Sequence, residues 1–172
     1  MLRRSLSHGL IACVFTLSSL TASSALADDD TGYRVKAIFI SKIIGFITPI
    51  SKEPKIEVCV LGDNPILDRA GSVQNISLVK ESKLSNISSH CHALFIGAAE
   101  SEEYKDVLAV LKGKPVLTFS DAPDFIERGG MVMFPQGRTI KPVINKAAIE
   151  RAGLKADPLM LETKSVFEVI DD

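Results

Sequence analysis

The 172-residue sequence has no tryptophan, two tyrosines, three histidines and three cysteines, and aromatic residues make up only 6% of it. It has almost no excess charge either: 20 Lys and Arg stand against 21 Asp and Glu, for a formal net charge of −1. Nucleic-acid binding needs a basic patch, commonly with aromatics interleaved, so these two scarcities exclude that class. Long apolar runs are missing as well. The most apolar internal stretch, residues 35–47, carries Lys36 and Lys42, whereas a bilayer span needs about 20 apolar residues.

The usual catalytic signatures are also thin. Ser120-Asp121 does not stand in a Gly-x-Ser-x-Gly elbow, and a hydrolytic triad would need a histidine brought from elsewhere. Asp121 with Asp124, and Glu100 with Glu102 and Glu103, are carboxylate pairs of the kind that helix N-termini attract for electrostatic reasons alone. Gly62-Asp63-Asn64-Pro65 and Gly97-Ala98-Ala99-Glu100 follow apolar runs as phosphate loops do. They lack the further glycines, and their acids would repel a phosphate. No enzymatic activity and no cofactor are expected.

What the sequence does hold is 46% hydrophobic residues and a mean hydropathy of +0.21, the composition of one globular domain. Residues 1–27 read as an export signal: Arg3 and Arg4, the apolar run 10–20, then Ala25-Leu26-Ala27 as a small-x-small cleavage pattern. Leu10-Ile11-Ala12-Cys13 resembles a lipoprotein cleavage box, but a cut there would leave almost no apolar region before it. Cleavage after Ala27 removes Arg3, Arg4 and Cys13. The expected mature domain, residues 28–172, then has 145 residues, a net charge of −3 and two cysteines, Cys59 and Cys91. In an oxidising compartment such a pair bridges by default.

Hydrophobic spacing predicts an α/β fold. A helix is expected over residues 31–47, capped by Thr31, with Tyr33, Ala37, Ile40, Ile44 and Ile47 on its buried stripe. Strands are expected at 56–61, 76–79, 93–96 and 116–119, alternating with a short helix at 65–70, a polar segment, and an amphipathic helix at 100–111. That rhythm implies a mostly parallel sheet flanked by helices. Downstream come a short helix at 121–128, a hairpin of residues 131–134 and 139–144, and helices at 147–152 and 158–170. Pro142 should sit at an edge or a bulge, because it has no ladder N–H to donate.

Cys59 lies inside one expected strand and Cys91 just before another, so neighbouring strands would bring their Cα atoms within the bridging range of about 4.4–6.8 Å. A bridge over that loop stabilises by about 3–4 kcal/mol in the chain-entropy account. It is either a fixed staple or a redox-responsive bond. His90-Cys91-His92 suggests zinc or copper ligands. Strand alternation, however, groups the two histidines on one face and aims Cys91 at the other, and a bridged Cys91 offers no thiolate. No metal site is expected.

Several segments in order resemble a known family: residues 33–39 (Tyr-Arg-Val-Lys-Ala-Ile-Phe), 59–65 (Cys-Val-Leu-Gly-Asp-Asn-Pro), 91–97 (Cys-His-Ala-Leu-Phe-Ile-Gly), 115–118 through Asp121, and Phe125 to Gly129-Gly130-Met131. Asn145, Ile149, Arg151, Ala152 and Gly153 continue the match. The set, covering residues 31–166, resembles the YfiR family of periplasmic regulators. The resemblance implies a non-enzymatic protein that binds the periplasmic sensor region of an inner-membrane diguanylate cyclase and represses cyclic-di-GMP synthesis and biofilm formation. It also implies an outer-membrane lipoprotein as a second partner, and a homodimer is compatible with it. Cys59 and Cys91 match the family's oxidisable pair; where some members carry a second pair near the hairpin, Val132 stands here. The partner surface implied is the hairpin and C-terminal part, with Met131, Asn145, Ile149, Arg151 and Lys155 as its residues, although Asn145 and Ile149 equally suit a cap and a core position. The alternative reading is a periplasmic small-ligand-binding module with its cleft near Gly62 or Gly97.

Overall fold

A computed structural model describes residues 25–69, 75–100, 104–137 and 139–171. Of the expected export signal, residues 1–24 lie outside the described residues, while Ala25-Leu26-Ala27 forms the start of the first helix. Among the described residues, two sheets are built from nine strands: β1 (Ile47–Thr48), β2 (Ile56–Leu61), β3 (Ile76–Glu81), β4 (Ala93–Ile96), β5 (Leu117–Ser120), β6 (Val132–Met133), β7 (Val143–Asn145), β8 (Lys155–Ala156) and β9 (Glu168–Ile170). The helices are α1 (Ala25–Ile44), α2 (Leu84–His90), α3 (Tyr104–Leu111), α4 (Lys146–Arg151) and α5 (Pro158–Glu162).

The main sheet has the order β3-β2-β4-β5-β6-β7-β9, and β1 pairs with β8 in a separate two-stranded ribbon. The pairs β2/β3, β2/β4, β4/β5 and β5/β6 are parallel, β6/β7 is the antiparallel hairpin, and β9 returns parallel to β7. The mostly parallel, helix-flanked sheet and its late strand pair are thus those expected from the sequence.

The core strands are apolar on both faces because both faces are covered. Val58, Val60, Ala93, Phe95, Leu117 and Phe119 pack with Ala37, Ile40, Ile43 and Ile44 of α1 and with Ala148 and Ile149 of α4. On the opposite face, Cys59, Leu61, Leu94 and Ile96 pack with Ile87 of α2 and with Val107 and Leu111 of α3. Continuous apolar runs are what a doubly covered parallel sheet demands.

Several local expectations are corrected. Helix α1 begins before Thr31, which lies inside it and not at its N-cap, and it ends at Ile44; Ile47 enters β1 opposite Ala156. The polar segment after β3 contains α2. Residues 123–129 form successive turns instead of a helix. Pro142 stands just before β7, where it costs no ladder bond, and its carbonyl accepts the Glu168 N–H. The expected C-terminal helix stops at Glu162, and the chain turns back as β9 with Phe167 buried against the Phe39 ring. Gly130 is required by packing: a Cβ there would lie 2.3 Å from the buried Phe125 ring.

Candidate functional site

Two places gather the residues singled out in the sequence. At the first, strand alternation sends Glu57, Cys59 and Leu61 of β2 to the α2/α3 face of the sheet. The parallel register puts Cys59 beside Val79 and Leu61 beside Glu81, so Glu81 ends β3 on that same face. Helix α2 then runs over this face and ends at His90, with Cys91 as its C-cap residue. Cys59 and Cys91 are disulfide-bonded, with Cα atoms 5.7 Å apart, and both are buried.

Because His90 and Cys91 lie at a helix end and not along a strand, the alternation argument for the histidines fails. His90 Nε2 is 3.6 Å from each of the two sulfurs and 3.5 Å from Glu81 Oε2. His92 turns away, its Nδ1 accepting the Glu57 N–H at 3.1 Å. The other carboxylate oxygen of Glu81, Oε1, accepts the N–H groups of Lys83 at 2.8 Å and Ser82 at 2.9 Å. These backbone donors, led by Lys83, hold the Glu81 carboxyl below its ordinary range against the opposing effect of desolvation, with His90 adding to the lowering. The result is a buried disulfide with a half-exposed imidazole and a buried carboxylate beside it.

The second place is a groove of about 610 Å³ between α3, α4 and the Gly129 turn, lined in part by Leu108, Lys112, Arg128, Met131 and Arg151. It brings together Met131 and Arg151 of the expected partner residues. Met131 is buried at its floor and Arg151 is exposed at its rim. Lys155 is exposed in β8 and lines a neighbouring depression with Glu150 and Gly153. The other two lie inside the protein. Asn145 is the N-cap of α4, its Oδ1 accepting the Ala148 N–H at 2.9 Å, and Ile149 is fully buried in the core. In this conformation neither is presented to a partner.

The strand ends near Gly62 and Gly97 are filled by the protein's own groups. Asn64 Oδ1 accepts the Ile66 N–H, capping a short 3-10 turn. Asp121, which follows β5, takes the Ala98 N–H on Oδ1 and the Lys36 ammonium on Oδ2, each at 2.6 Å. Ser120 is buried with its hydroxyl accepting the Ala122 N–H. It ends β5, whereas His90 and His92 precede the parallel β4, at the opposite end of the sheet. A serine–histidine relay between them is ruled out by that separation.

The glutamate of the disulfide corner is the residue missed by sequence reasoning. Its signal, an acid that is the one buried residue of β3, gains meaning only once the β2/β3 register is known. Comparison with known proteins finds that a family model described as YfiR/HmsC-like matches residues 33–163. No curated protein matches the sequence.

Proposed function

The chain belongs to the YfiR/HmsC-like family, and from that membership we propose that it binds the periplasmic region of an inner-membrane diguanylate cyclase and holds the cyclase inactive. At family level the match supports a periplasmic regulator of the cyclic-di-GMP system, not an enzyme. Among the described residues, no helix is long and apolar enough to cross a membrane. The single observation that carries the reading is the family match over residues 33–163.

The protein lowers cyclic-di-GMP by binding the inactive form of its target more tightly than the active form, since only a differential affinity moves the equilibrium. The α3/α4 groove with Arg151 at its rim, and the adjoining Lys155, offer the cyclase a cationic edge beside an apolar floor. An outer-membrane lipoprotein that competes for this surface would relieve repression, and occupancy by a second copy of the chain would compete in the same way.

Deleting the gene is expected to raise cellular cyclic-di-GMP and biofilm mass, and restoring it to lower both. Unchanged nucleotide levels in the deletion strain overturn the proposal. A second reading, a small-ligand-binding module, draws on the groove's volume of about 610 Å³, which lies within the range of small-molecule sites. A thermal-shift screen against periplasmic metabolites separates the two, because a ligand that binds the native state raises Tm by mass action.

A further inference from the structure

We propose that reduction of the Cys59–Cys91 disulfide converts its corner into a four-ligand site for a thiophilic divalent cation, zinc above all, made of both thiolates, His90 Nε2 and Glu81 Oε2. The inference does not depend on the identity of the protein's partner. Its basis is the spacing of Cys59, His90 and Cys91, whose ligand atoms lie within 4.8 Å of one another, with Glu81 Oε2 beside His90. Zinc binds thiolate sulfur at about 2.3 Å and imidazole nitrogen or carboxylate oxygen at about 2.0 Å in a tetrahedron, which sets nitrogen and sulfur about 3.5 Å apart and nitrogen and oxygen about 3.3 Å apart. His90 Nε2 already stands 3.6 Å from both sulfurs and 3.5 Å from Glu81 Oε2. The three edges that meet at His90 Nε2 are thus close to those of a zinc tetrahedron, and the edge between the sulfurs is the one the S–S bond holds short. Breaking it lets the sulfurs separate to about 3.8 Å, the edge of a tetrahedron with bonds of about 2.3 Å.

The surroundings suit an ion. Oε1 of Glu81 is fixed by two backbone N–H groups, leaving Oε2 aimed at His90, the second-shell anchoring that orients carboxylate ligands. Cys59, Cys91 and Glu81 are buried, while His90 is partly exposed and opens a route from solvent. Cysteine, histidine and carboxylate donors together favour zinc over magnesium or calcium.

The chemistry balances with a dithiol as reductant. One dithiol transfers two electrons to the Cys59–Cys91 bond and becomes a disulfide itself, leaving two protein thiols. Binding of one zinc ion then releases two protons to water and forms two Zn–S bonds, with His90 neutral and Glu81 ionised. The metal ties the end of α2 to the middle of β2 just as the disulfide does, so the corner stays cross-linked under both oxidising conditions and reducing, zinc-replete ones.

The test uses the mature protein, oxidised or reduced with a dithiol, freed of reductant without oxygen and titrated with Co²⁺ as a coloured stand-in for zinc. The reduced protein is expected to take up one equivalent, with thiolate-to-cobalt charge-transfer absorption and the intense visible bands of tetrahedral cobalt, bleached by one equivalent of zinc; the oxidised protein takes up none. His90→Ala, at a partly exposed position that leaves the core intact, should weaken cobalt binding at least tenfold, and Glu81→Gln should weaken it too. Absence of cobalt uptake by the reduced protein overturns the proposal. So does uptake unchanged in His90→Ala, octahedral cobalt spectra, or loss of the folded circular dichroism signal on reduction that zinc fails to restore.

Discussion

Lys36 shows how a single charge can be made to serve the fold. Its ammonium projects from α1, 4.6 Å from the centre of the Tyr33 ring, and meets Asp121 Oδ2 at 2.6 Å in a largely buried pair. The other Asp121 oxygen holds the Ala98 N–H, so one carboxylate joins α1, the end of β4 and the end of β5. A buried charge left without its partner costs about 3–5 kcal/mol. Asp121→Ala is therefore expected to lower unfolding free energy by about 3–5 kcal/mol, read as a shift in the urea midpoint. Adding Lys36→Met should recover part of the loss, because the stranded ammonium is then gone; full additivity of the two substitutions would contradict the pairing. The sequence carries both residues without indicating their contact, since a lysine on an apolar helix stripe and an aspartate after a strand are ordinary features on their own. A cap was one of the two roles the sequence allowed Asn145, just ahead of a helical run, whereas the facing of His90 toward the sulfurs depended on α2, which no periodicity announced.

The elements that sequence patterning identifies are those whose burial matches their local pattern. Strands β2, β4 and β5 are buried almost throughout and mostly apolar, and such runs bounded by turn residues have few other uses. Helix α2 escapes because it buries only Ile87 among serines, an asparagine and a histidine, and because Lys83 offers no side-chain cap. At the other extreme, Leu159, Met160, Val166, Phe167 and Val169 fall close enough to helical spacing to suggest one continuous helix. The chain departs from that at Thr163, whose N–H bonds to the Met160 carbonyl, and it delivers Phe167 to the core beside Phe39 at a centroid distance of 6.2 Å and an interplanar angle of 72°. Strand β9 thereby covers what would otherwise be the open edge of β7. Phe167→Ala removes this anchor and should cost about 3–5 kcal/mol, with faster amide exchange in β7 as its local signature. A loss under 1 kcal/mol would mean that β9 contributes little to closing the sheet.

At the scale of the whole molecule, the segment from α4 to β8 has an inward and an outward job. Ile149 and Ala148 face the core, while Arg151 and Lys155 stand exposed at the groove between α3 and α4 and at the depression beside it. Stability and partner binding are therefore separable by substitution. Ile149→Ala should cost about 2–5 kcal/mol and reduce repression only as far as it depletes folded protein. Lys155→Glu, on an exposed ribbon strand, should alter stability by no more than about 0.5 kcal/mol. If the cationic edge meets the cyclase, Lys155→Glu and Arg151→Glu should each raise the concentration of purified protein needed to inhibit membrane-embedded cyclase, and the effect should shrink as salt screens the interaction over about 10 Å. Inhibition curves for both variants that superpose on the wild type at low and high salt would place the docking surface elsewhere. Because the charge changes lie outside the two hydrophobic clusters, such a result would count against this surface without touching the fold that carries it.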